Sequence, residues 1–429
     1  MARVMDTDTD TAEVLAALST PAETDRRSMG RRRFLQASAM GLGASALLPS
    51  WLADLAGAAT PIGPKDGVLV TVQLGGGNDG LNTVVPTGDS NYYAKRPNIA
   101  IKATDALPIG TGIGLHPKLA FLKGQFDAGN VAVLQGVGDV TPDLSHFTAT
   151  ARWMTGDGTE GKTGWLGRYL DGLPGGNDPF HAVTVGTSVP LLLNGAARKG
   201  TALPDSLGDG LSTSAKDDWV RRSAECLRAM GAGPTGLGPW GDAIAAAGRT
   251  SVDLNDEVRP LYKDKLATGR LAEQLDLAAR LINADLGVRV LHVSFGSFDH
   301  HANLPGEHAT RLGELDSGLQ VFFEKLATRF AGRVTVLTFS EFGRRVQANQ
   351  SNGTDHGTAS ALFALGAGVK GGLYGTMPSL GSLDRSGNLV PTVDFRSVYA
   401  TVLDSWLAAD SRQLLGGRYE NLGFLEQPS

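Results

Sequence analysis

The chain of 429 residues contains a single cysteine, Cys226. One thiol excludes any disulfide within the chain and any metal cluster built on cysteines. Charge is modest as well, at 19% Asp, Glu, Lys and Arg with a formal net of −5. That balance leaves no overall basic footprint for nucleic acid. No apolar run approaches the ~20 residues that a membrane-spanning helix needs. No Gly-x-Ser-x-Gly elbow is present, which argues against an esterase of the α/β-hydrolase type. What the chain does have is 41% hydrophobic residues and 57 glycines, a composition able to bury a core.

The first 58 residues read as an export signal. Arg31-Arg32-Arg33-Phe34-Leu35 is followed by a small apolar run from Ala37 to Leu48, Pro49 and the small-residue site Ala56-Gly57-Ala58. A basic region, a short apolar region and an A-x-A-like site occur in the order of a cleavable signal. The paired arginines before x-Phe-Leu resemble a twin-arginine signal. That resemblance implies export of an already folded protein to the periplasm or beyond, often with its metal loaded. Without residues 1–58, which carry six basic and seven acidic residues, the net charge would be −4.

Residues 59–429 read as one α/β domain. Val68–Leu74 (VLVTVQL) is short, apolar and β-branched, as a central buried strand should be. Further strands are expected at 130–135, 182–185, 289–295, 334–339 and from 362. Helices are expected at 118–126, 145–154, 217–230, 257–286, 308–330 and 395–408. Such alternation predicts a doubly wound, mostly parallel sheet with helices on both faces. The Gly/Ala/Ser-rich stretch 195–256 reads as an insertion.

Polar clusters follow the expected strands. They are Asn78-Asp79, Asp143-Leu144-Ser145-His146, Asp299-His300-His301, Glu341-Phe342-Gly343-Arg344-Arg345 and, in a loop, Asp355-His356. In a parallel sheet, ligands bind beyond the carboxyl ends of the strands. Imidazoles beside carboxylates suit Zn²⁺, Mn²⁺ or Fe, whereas carboxylates alone suit Mg²⁺ or Ca²⁺. The expected ligands of a divalent metal are therefore Asp79, Asp299, His300, His301, Glu341, Asp355 and His356. Ser145, opening a helix, is placed to attack, with His146 beside it. Arg344 or Arg345 would clamp an anion. Gly75-x-Gly77-x-x-Gly80 also spells a dinucleotide fingerprint. That fingerprint must open a helix, and β-branched Thr83-Val84-Val85 before Pro86 do not favour one.

Taken in order, Gly75-Gly76-Gly77-Asn78-Asp79-Gly80, Leu144-Ser145-His146-Phe147, Phe298-Asp299-His300-His301, Ser340-Glu341-Phe342-Gly343-Arg344 and Asp355-His356-Gly357 resemble an exported bacterial family, the domain of unknown function 1501. The resemblance implies the alkaline phosphatase and sulfatase superfamily. It thereby implies a metal site at the carboxyl edge of the sheet. Carried over position by position, Asp79 is the acid after the first strand and Ser145 the nucleophile. Asp299 opens an Asp-x-x-x-His pair whose His is Asn303 here, with His300 or His301 as substitutes. Glu341 keeps the acid of an Asp-His-Gly motif whose His is Phe342, and His356 is the late histidine.

The expected function is a metal-dependent hydrolysis of a small anionic phosphate or sulfate ester outside the cytoplasm. The alternative is a non-catalytic periplasmic binding or assembly protein that keeps the fold, with another exported protein as its partner.

Overall fold

A computed structural model describes residues 63–428 apart from 64, 175–177, 208, 209 and 367. The expected export signal, residues 1–58, lies outside the described residues. No helix among them is long and apolar enough to cross a membrane.

Strand β1 (Val68–Leu74) is buried at every position. Because side chains alternate between faces, a strand without an exposed residue is covered on both sides. Its neighbours are β5 (Val290–Phe295) and β6 (Val334–Phe339), both parallel to it, with Leu69 opposite Val290 and Val68 opposite Val334. The sheet continues on one side through β3 (Ala182–Val185) to β4 (Thr201–Leu203). On the other side lie β9 (Ser360–Gly366), β2 (Val131–Gly138) and β10 (Gly372–Tyr374). The short β11 (Val393–Asp394) also pairs with β2. Only β9 is antiparallel to its neighbours, so every other strand points its carboxyl end to the same edge. The expected mostly parallel α/β sheet is the observed one.

One core joins Leu69, Leu337, Phe339 and Leu362 of the strands to Trp153, Trp165, Tyr399 and Trp406. Trp153 belongs to helix α2 (His146–Thr155), Trp165 to α3 (Trp165–Asp171) and Tyr399 to α8 (Phe395–Thr401). Trp153 stacks on Phe395 at 4.6 Å and Trp165 on Tyr399 at 4.4 Å. Helices α6 (Arg270–Asn283) and α7 (Leu304–Lys325) pack together, and α7 also meets α1 (Ala120–Asp127).

Several elements differ from the sequence reading. The expected helix 257–286 is two elements. A tight turn at Arg259–Tyr262 carries Pro260, and α6 starts only after Gly269, whose φ is +112°. The expected insertion does not begin at 195, because Thr201–Leu203 is a strand of the main sheet. Among the described residues, 210–257 instead belong to a separate compact unit. Within it α4 (Asp218–Met230) and α5 (Gly238–Val258) share a small core of Met230 and Ala245 with half-buried Cys226. A further difference is an unexpected hairpin of β7 (Arg344–Ala348) and β8 (Thr354–His356).

The glycine fingerprint opens a single helical turn, Gly80–Thr83, and then a strand. A second pattern, Gly156–Thr163, spells Gly-x-x-x-x-Gly-Lys-Thr and escaped the sequence reading. A phosphate cradle of that kind must follow a strand. Here Gly156 ends helix α2 in the left-handed conformation.

Candidate metal centre

Four chain segments meet beyond the carboxyl edge of the sheet. The loop after β1 turns at Gly76 and Gly77, whose φ values are +112° and +72°. Glu341, just after β6, accepts from the Gly76 N–H at 2.8 Å. Arg344 donates from Nε to the Gly77 carbonyl at 2.7 Å, from Nη1 to the Thr354 carbonyl at 2.9 Å, and from Nη2 to the Gly76 carbonyl. The β1 loop is thereby tied to both the β6 loop and the hairpin. A Cβ on Gly77 would lie 2.3 Å from the Phe342 ring, so this turn admits only glycine.

Three side chains converge on this scaffold. His146, Asp299 and His356 each offer a ligand atom, all within 4.8 Å of one another. The imidazoles are held from behind. His146 donates from Nδ1 to Glu341 Oε1 at 2.8 Å, because a carboxylate can only accept. His356 donates from Nδ1 to the Leu144 carbonyl at 2.8 Å. Each ring is therefore anchored through its far nitrogen and turns Nε2 toward Asp299. His146 Nε2 is 3.4 Å from Asp299 Oδ2, and His356 Nε2 is 3.3 Å from Oδ1. A fourth ring, His301, brings Nε2 to 2.9 Å from Asp299 Oδ1 and 3.1 Å from His356 Nε2. Its Nδ1 faces Asp355 Oδ1 at 3.4 Å.

Burial alone would raise the pKa of Asp299. The Arg344 Nη2–H donated to Oδ1 at 2.5 Å, the Arg344 charge and the rings of His301 and His146 outweigh it and hold the carboxyl at about 2. A permanent carboxylate thus faces the Nε2 atoms of two imidazoles. His146 Nε2 is shut away from solvent with no hydrogen-bond partner. A buried polar atom left without a partner is costly, and a cation bound at this nitrogen would satisfy it. Two imidazoles and a carboxylate suit Zn²⁺, Mn²⁺ or Fe, so the donor set fits the implied metal. Phe342 closes one side, its ring 4.8 Å from those of both His146 and His356.

The structure places the other expected residues differently. Asp79 is buried away from this cluster. Its Oδ1 pairs with Arg96 Nη1 at 2.8 Å and accepts from the Asn82 N–H, while Oδ2 accepts from Thr354 Oγ1 at 3.1 Å. Glu341 and Asp355 stand behind His146 and His301 rather than among the converging atoms. The His300 ring turns into the interior, 5.7 Å from the His308 ring and 6.1 Å from Phe298. Arg344 is buried and its donors are committed to carbonyls and Asp299, so it is a strut rather than an anion clamp. Asn303 opens α7 in the left-handed conformation. Ser145 is exposed at the start of α2 and its hydroxyl makes no capping bond. Arg96 and the Leu144 carbonyl were not expected. A lone arginine carries no pattern, and a backbone oxygen leaves no trace in a sequence.

No curated protein matches this chain. Among solved structures, a protein of the alkaline phosphatase superfamily from Vibrio parahaemolyticus is similar over 91% of this chain and 78% of its own, with 10% identity and a TM-score of 0.37. A lipoteichoic acid synthase from Listeria monocytogenes is similar over 85% and 74%, with 10% identity and a TM-score of 0.34. A phosphonate monoester hydrolase of Agrobacterium radiobacter is similar over 82% and 78%, with 10% identity and a TM-score of 0.36. The family described as "Protein of unknown function (DUF1501)" matches residues 130–418, well over half of the chain, and the protein belongs to that family.

Proposed function

We propose that the chain is a metal-dependent hydrolase of phosphate or sulfate esters that works outside the cytoplasm. The observation that carries this reading is the convergence of His146, Asp299 and His356, with the far nitrogen of each histidine already engaged. Those three residues would hold the ion, with His301 at its edge. A bound divalent ion there would polarise an ester oxygen and lower the pKa of a coordinated hydroxyl. Ser145 would be the attacking group. It stands at the N-terminus of α2, whose first N–H groups have no side-chain cap and favour an alkoxide. Glu341 keeps the His146 ring oriented, and Phe342 keeps water from one side.

The test is metal analysis of the purified chain together with aryl phosphate and aryl sulfate substrates. We expect one transition-metal ion per chain and turnover of at least one ester class. Asp299→Ala should lose both. A parent chain without stoichiometric metal, or an Asp299→Ala variant with parental turnover, overturns the reading.

A second reading is favoured by Arg344, whose donors are spent inside the fold. In that reading the chain binds a metal and another exported protein without turning over an ester. Stoichiometric metal with no turnover of either ester class, and a partner that co-purifies, would select it. Export by the twin-arginine route belongs to both readings. The double variant Arg31→Lys, Arg32→Lys should remain in the cytoplasm on cell fractionation.

A further inference from the structure

Arg96 is fully buried, and its guanidinium keeps its charge at any physiological pH. Its donors meet four oxygens. Nη1 donates to Asp79 Oδ1 at 2.8 Å and to Asn82 Oδ1 at 2.9 Å. Nε donates to the Val346 carbonyl at 2.9 Å, and Nη2 to the Arg345 carbonyl at 2.7 Å. The first two oxygens belong to the turn that follows β1, the other two to strand β7. The turn is itself fixed from the far side. Buried Tyr92 donates its hydroxyl to Asn82 Oδ1 at 2.8 Å, and Asn82 Nδ2 donates to the Ile99 carbonyl at 2.7 Å.

The same ion pair reaches the other strand of the hairpin. Asp79 Oδ2 accepts from Thr354 Oγ1 at 3.1 Å, and Thr354 opens β8, the strand that ends in His356. His356 in turn lies directly opposite Arg344 across the hairpin. Hydrogen bonds therefore run from the Arg96–Asp79 pair to both strands of the element that carries His356. Stability alone does not call for this arrangement. A buried ion pair costs desolvation, and apolar side chains of similar volume often serve a core as well or better. Apolar side chains cannot hold oxygens of two separate segments at fixed places. Lysine is a poor substitute as well, because its three donors sit on one atom, whereas a guanidinium spreads five over a rigid plane.

We propose that Arg96 is a positioning residue of the metal centre, which sets the place of His356 by registering the β7–β8 hairpin on the turn after β1. The proposal rests on the metal of the hydrolase reading above. Arg96 acts through the hairpin and not on the ion itself. Asp79 gains a role with it. Its carboxylate is the counter-charge that keeps Arg96 in the interior, and it hands the constraint on to Thr354.

The experiment uses the full chain loaded with Co²⁺, whose visible spectrum reports the arrangement of its ligands, with affinity read by competition with a chelator. Arg96→Lys keeps the charge and loses the planar fork. It should weaken Co²⁺ binding roughly tenfold or more and alter the spectrum. Thr354→Val removes one hydroxyl and should act in the same direction by a smaller factor. Leu275→Ala, at a fully buried position of α6, is the control. It should lower the unfolding midpoint and leave affinity and spectrum as in the parent. Parental affinity and spectrum in a folded Arg96→Lys chain overturn this inference alone. If Arg96→Lys does not fold, Thr354→Val decides, and parental Co²⁺ binding there overturns it. Equal weakening in Leu275→Ala also overturns it, since affinity would then follow stability. A parent that takes up no Co²⁺ overturns the hydrolase reading, and this inference with it.

Discussion

Each imidazole of the centre is held by its far nitrogen, and that detail has a measurable consequence. The Glu341 carboxylate on His146 Nδ1 holds the ring and turns Nε2 toward the centre. Glu341→Gln keeps the shape and an acceptor but removes the charge. Metal affinity should fall roughly 10–100-fold, the usual cost of losing such a partner, as read by competition with a chelator. Unchanged affinity would mean that His146 is not a ligand. At this scale the residue types were legible in the sequence, and their roles were not. Asp79, Glu341 and Asp299 all follow strands, and spacing cannot tell a converging carboxylate from one that stands behind a ring. Asp79 is removed from the cluster by Arg96, a residue 17 positions on in the chain that no motif marks.

At the scale of elements, the β1 loop and the hairpin depend on each other. Gly77→Ala would cost about 1–2 kcal/mol for a left-handed backbone alone. Its Cβ would also press on Phe342, which packs on both His146 and His356. We expect a lower unfolding midpoint and weaker metal binding together; loss of stability with unchanged metal binding would separate the two elements. Strand β5 supplies a different test. Burial lowers the pKa of His292 to about 4 from an ordinary 6.5. Below pH 6.5 the unfolded chain takes up this proton and the folded chain does not. The stability due to neutral His292 is therefore present above pH 6.5 and is lost as the pH falls toward 4. The loss amounts to about 3 kcal/mol over that window. Urea unfolding at pH 7 and pH 5 should show the decline, and a His292→Leu variant should show a shallower one. Strands such as β1 and β6 were readable because every position is buried and β-branched residues dominate. The hairpin was not, since Arg344–Ala348 has no apolar run and is kinked by a register shift.

For the whole molecule, a cation bound only by the folded chain would stabilise it by mass action. At 100 times its dissociation constant it would add about 2.7 kcal/mol. The melting temperature should therefore climb with added Zn²⁺ or Mn²⁺ in the parent and stay level in Asp299→Ala. A parent insensitive to both ions would speak against a centre formed by the fold.

The sheet order also bears on how this protein is made. Strand β1 is synthesised early, yet Leu69 pairs with Val290 and Val68 with Val334. At ordinary synthesis rates roughly 10–40 s pass before the first partner strand exists. During that interval VLVTVQL is an apolar, uncharged, proline-free segment with both edges open, the composition that drives intermolecular pairing. A nascent chain of this protein must therefore be shielded at one heptapeptide until its last third emerges. A lysine placed within Val68–Leu74 would ease aggregation on the ribosome while wrecking the finished core.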